Sequence, residues 1–142
     1  MSAPQPSMRR VTSPDVPEPP PGLFSNCLVV DNVVHISGQH AGTPQGPVGG
    51  ASVLEQSREA LKRVLSLIEA AGGSADDIVK LTIYLCDMER KADVSTARRE
   101  FFAEPLPCST LVGVNALANP DLLVEIDAVA VLDRGGRSRA VA

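Results

Sequence analysis

The stretch LLVEIDAVAVL (residues 122–132) decides the architecture. In an extended chain successive side chains point to opposite faces. Val124, Ile126, Ala128 and Ala130 then share one face, while Leu123, Val129 and Val131 lie on the other with Glu125 and Asp127. A strand apolar on both faces needs cover on both. The rest of the chain predicts only two helices, enough for one side, so a second subunit is expected to supply the missing layer.

Working back from this strand, PLPCSTLVGV (residues 105–114) predicts another, from Ser109 to Ala116, entered through Pro107, because proline cannot donate to a sheet ladder. A helix is expected over residues 93–103, with Val94, Ala97 and Phe101 on one face and Pro105 barring its continuation. DIVKLTIYL reads as a strand. A longer helix starts at Ser52, where Ser52-x-x-Glu55 has capping-box spacing, and stops at Gly72-Gly73. Leu54, Leu61, Val64, Leu65 and Ile68 fall at helical spacing between these signals. Before it, CLVV and VVHIS flank Asp31-Asn32, a two-residue hairpin signal.

The predicted order is ββαβαββ, an α+β layer of one sheet with both helices on one face. Residues 22–133 form the expected domain. Residues 1–21, ending in PDVPEPPP, read as an extended lead-in or a disordered arm, and residues 134–142 as a frayed polar tail.

The 142 residues suit one domain, and a net charge of −4 argues against a nucleic-acid partner. Cys27, Cys86 and Cys108 are odd in number and lack CxxC spacing, so neither a disulfide framework nor a metal site is expected, and a reducing cytoplasm is the natural setting. The amino-terminal ten residues lack the apolar core of a signal peptide, and no apolar run is long enough to span a bilayer. No cofactor is implied. Gly46-Pro47-Val48-Gly49-Gly50 lacks the Lys-Ser/Thr ending of a phosphate loop and reads as a flexible loop.

Residues 24–132 resemble the reactive intermediate deaminase family (RidA, or YjgF) through VVHISGQ, EAAGGSADDIVKLTIYLCDM, PLPCSTLVGV and LLVEIDAVAVL, in the family's order. The resemblance implies a chorismate-mutase-like fold and a barrel-forming homotrimer, with helices outside and small-molecule sites in clefts between subunits. It also implies metal-independent hydrolysis of imines or enamines. Glu125 stands where the family has its glutamate, and is the candidate for activating water. Phe24 stands for a tyrosine that walls the pocket, and Ser95 for an asparagine. Gly38 would allow close backbone approach, His40 lies at the rim, and Ser109 follows the position of the family's carboxylate-gripping arginine.

That position is Cys108. Losing one partner of a desolvated ion pair costs about 3–5 kcal/mol, roughly a hundredfold to several thousandfold in binding. A simple 2-imino acid is therefore a poor expected substrate, unless another cation such as Lys91 or a neighbouring subunit's arginine reaches in. Cys108 has three readings: a small buried hydrophobe, a space-making replacement, or a nucleophile needing a nearby cation. The competing functions are a non-catalytic metabolite-binding trimer and a redox-sensitive scaffold. Some family members carry a ribonuclease label, which the acidic balance disfavours here.

Overall fold

The computed structural model describes residues 4–132. One mixed sheet of six strands carries two helices. The strands are β1 (Met8–Arg10), β2 (Cys27–Val30), β3 (Val33–Gln39), β4 (Ile78–Leu85), β5 (Cys108–Gly113) and β6 (Val124–Val131), in the spatial order β1-β2-β3-β6-β4-β5. Only β4 and β5 run parallel; the other neighbours are antiparallel. The helices are α1 (Val53–Ala70) and α2 (Lys91–Phe101), which pack against each other, with α1 also against β3 and β6. The expected α+β order is present, with one strand added in front.

That strand, β1, lies inside the arm read as extended or disordered. Met8-Arg9-Arg10 is free of proline and pairs with Leu28 to Val30. Val11 and Val16 beyond it are buried in the core, and an Arg9 Nη2–H donates to the Ala71 carbonyl at 2.9 Å. The sheet therefore begins upstream of residue 22. The tail at 134–142 lies outside the described residues.

Local signals explain the elements. Asp31 takes a left-handed φ of 54°, and Val30 pairs with Val33 across the two-residue turn. The Ser52 hydroxyl accepts from the Glu55 N–H at 3.1 Å, capping α1. Its far end closes with Gly72 at φ 101°, and the Gly73 N–H donates to the Ile68 carbonyl at 2.9 Å. This is a Schellman ending, which glycine adopts without steric penalty.

Some boundaries differ from the expected ones. Asp87 caps a single 3-10 turn (Met88–Arg90) that runs directly into α2, so the helix starts at Lys91 rather than 93. Phe102 is already extended, so it ends at Phe101. The strand expected over 109–116 is β5, shifted to Cys108–Gly113.

The core lies between helices and sheet. Leu61, Val64, Leu67 and Ile68 of α1 meet Val34, Ile36, Leu81, Ile83, Leu85 and the Val124 set, all buried. Gln56 is buried among them and satisfies its amide fully. It donates to the Gly50 and Asp121 carbonyls at 2.7 and 3.0 Å and accepts from the Leu123 N–H at 2.9 Å. One side chain thereby fixes the loop before α1 and the entry to β6, one residue before Val124. Among the described residues no helix is long and apolar enough to cross a membrane.

Candidate functional site

The sheet's second face, opposite the helices, carries the chemistry. Glu125, Asp127, Val129 and Val131 point there from β6 and are half-buried. Residues opposite one another on paired strands share a face. Register puts Tyr84 beside Glu125, Thr82 beside Asp127 and Lys80 beside Val129. On the far side of β4, Val112, Thr110 and Cys108 stand against the same three residues. Three rows of side chains thus cross the open face: Glu125–Tyr84–Val112, Asp127–Thr82–Thr110 and Val129–Lys80–Cys108.

Glu125 is held closely. The pairing of β3 with β6 shifts between Ile36 and Gln39, so Ser37 and Gly38 sit at a bulge. Such irregularities bend a strand and re-aim side chains. A Cβ on Gly38 would stand 2.4 Å from Glu125 Oε2 and 2.7 Å from Cδ, so only glycine leaves room for the carboxyl. Partial burial raises the Glu125 pKa, and the charge of Asp127 raises it further. The Tyr84 hydroxyl donates to Asp127 Oδ2 at 3.0 Å, and that bond is the main cause of a raised tyrosine pKa. A carboxyl that keeps its proton to higher pH than usual, on an accessible face, can both give and take protons.

Within one chain Cys108 is exposed on this face. Its cross-strand partner is Lys80, a cation that the reading of sequence neighbours missed. Lys80 Nζ donates to Thr110 Oγ1 at 2.6 Å, tying the ammonium to the neighbouring threonine row. The other thiols differ. Cys27 is buried, which pushes its pKa up to about 11. Cys86 Sγ lies 3.7 Å from the Leu122 carbonyl. Cys27 packs in the core, and Cys86 is half-buried.

The remaining expected site residues separate into other places. Ser95 and Ser109 meet on the helix side of β5, joined by Arg98: its Nη1–H donates to Ser109 Oγ at 2.7 Å and its Nη2–H to Ser95 Oγ at 3.0 Å. Phe24 is exposed and lines a hollow of about 530 Å³ with Arg10, Glu18 and the proline turn. His40 Nδ1 accepts from the Gly42 N–H at 3.0 Å, and burial and nearby Arg63 lower its pKa, so it holds a turn as a neutral ring. Lys91 is exposed at the first turn of α2. Within one chain, only Gly38, Glu125 and Cys108 of the expected set share the open face.

A family model described as Endoribonuclease L-PSP matches residues 17–132. The chain belongs to this family. RidA and YjgF proteins are among its solved neighbours, including RidA from a Psychrobacter species (TM-score 0.77, 28% identity, covering 87% of this chain and 100% of that one). A Pseudomonas aeruginosa protein of unknown function superposes with a TM-score of 0.82 at 34% identity, over 91% of this chain and 95% of that one. A RutC family protein of Pyrococcus horikoshii is 34% identical over 78% of this chain and 88% of its own length. The mouse 2-iminobutanoate/2-iminopropanoate deaminase is 33% identical over 78% of this chain and 82% of its own.

Proposed function

We propose that this RidA-family chain is an imine or enamine deaminase, with Glu125 as its general acid–base. The observation that carries the reading is the Glu125 carboxyl itself, accessible yet raised in pKa, seated against Gly38 and beside Asp127. An enamine first gains a proton at carbon and loses one from nitrogen, becoming an imine. Water then adds to the C=N carbon. Glu125 takes one proton from that water and returns it to nitrogen, then passes the carbinolamine's hydroxyl proton to the same nitrogen as the C–N bond breaks, leaving a carbonyl compound and ammonia. No electrons are exchanged. The deaminase names of several relatives support the same reaction class.

The half-buried valines Val129 and Val131 beside these acids favour a homotrimer whose subunits cover the open faces and complete the clefts. The substrate end lying against residue 108 meets a thiol rather than a guanidinium, with the Lys80 ammonium of the adjacent strand as the cation beside it, so the bidentate carboxylate grip is lost there. The acidic balance of the chain, at −4, and the two carboxylates on the open face disfavour an RNA substrate.

Ammonia release from freshly generated imines and enamines tests the proposal. Glu125→Gln is expected to lower turnover by about 10²–10⁴-fold, the usual contribution of a general acid–base, while the sheet stays folded. Equal rates for the two proteins would overturn the role of Glu125. Cys108→Arg is expected to raise activity on 2-imino acids; an unchanged rate would show that specificity is not set at that residue.

A further inference from the structure

A cavity of about 350 Å³ opens on the helix side of the sheet, between α2 and the chain entering β5. That volume lies at the small end of the range for small-molecule pockets, roughly 300–1,000 Å³. Two guanidiniums, Arg98 and Arg99, line it together with Leu81, Phe102, Leu106 and Pro107. It is separate from the Glu125 face: Ser109, which lines it, pairs with core residue Leu81, whereas Cys108 alternates to the other side of β5.

The charges here are unbalanced. Arg10, Arg58 and Arg63 each form an ion pair with a glutamate, but among the described residues neither Arg98 nor Arg99 has an acidic partner. Both lie in the last turn of α2, where a helix end favours cations. That accounts for arginine in this turn but not for the orientation of Arg98. Its guanidinium turns back to Ser95 and across to Ser109. Two neutral hydroxyls position the fork without neutralising it, and further N–H donors remain. A fixed guanidinium with free donors matches a carboxylate, which it binds through paired, charge-assisted hydrogen bonds. The apolar walls require that the acid carry a compact hydrocarbon body.

We infer that this cavity is a binding site for a small aliphatic monocarboxylate, with Arg98 as its anion grip. The site goes beyond the deaminase reading and stands or falls separately from it.

Titration of the full-length protein with 3-methylbutanoate, followed by amide and arginine Nε–H shifts in NMR, tests the inference. Saturable changes at Arg98, Ser109 and Phe102 are expected. The uncharged analogue 3-methylbutanamide and inorganic phosphate are each expected to bind at least about tenfold more weakly, since one lacks the charge and the other the hydrocarbon body. Arg98→Gln is expected to weaken the acid by a similar factor, with Arg98→Lys intermediate because lysine keeps the charge but not the fork. Acid and amide binding alike to the wild-type protein would overturn the inference without any variant. So would phosphate binding as tightly as the acid, shifts confined to Cys108, Thr110 and Glu125, or no saturable shift.

Discussion

The two faces of β6 follow different rules, though they alternate residue by residue. On the helix side Val124, Ile126 and Ala130 are wholly buried and Ala128 is 2% exposed. On the open side Glu125 and Asp127 are followed by Val129 and Val131, and all four are half-buried. The covered face is filled by apolar packing and holds the subunit together. The open face keeps ionisable groups because nothing among the described residues seals it. Its partial burial is enough to raise the Glu125 pKa without leaving an unpaired charge in a dry core.

The sharpest way to probe this contrast is to cut into each face. Ile126→Ala empties part of the covered core and is expected to cost about 2–5 kcal/mol in urea unfolding. Gly38→Ala forces the Glu125 carboxyl aside and is expected to lower deaminase turnover by about 10²-fold with little change in unfolding, since misplacing a reactive group has that scale of effect. A pronounced loss of stability instead would make Gly38 a packing residue of the subunit. Val129→Ser tests whether the open face is covered in solution. A change of about 1.5–3 kcal/mol in subunit association, the worth of burying such a side chain, is expected, read as concentration-dependent melting. No change would mean that the valine faces water.

The smallest effect is electrostatic. Folding raises the Glu125 pKa, so the folded chain binds more protons than the unfolded one between the ordinary glutamate value and the raised value. Stability falls as pH climbs through that interval. Glu125→Gln cannot ionise, so it is expected to be more stable than wild type above the interval and no different below it, measured by melting across pH. Asp127→Asn removes the second cause of the shift and is expected to lower the Glu125 pKa only in part, because burial is the larger cause.

The features legible in the sequence depend on near neighbours. The Asp31-Asn32 turn, the Ser52 cap and the Gly72-Gly73 stop are each set within a few residues, and the alternation of β6 exposed both of its faces. The missed features depend on contacts between distant segments. Lys80 meets Cys108 only because β4 and β5 run parallel in one register. Tyr84 reaches Asp127 diagonally across a strand pair. Arg98 joins two serines on different elements. A lysine two residues before Thr82, in line with Tyr84, was the one hint that β4 presents a polar row. Strand β1 escaped notice because prolines dominate its surroundings, although its own three residues contain none.

The amino-terminal strand has a practical consequence. The family-matched segment starts at residue 17, but the hydrogen-bonding edge of β2 is occupied by Met8 to Arg10. A shortened protein cut at that boundary would leave Leu28 to Val30 with a bare ladder, ready to recruit strands from other molecules. Precipitation of such a fragment would then reflect its missing edge guard rather than an unsound fold.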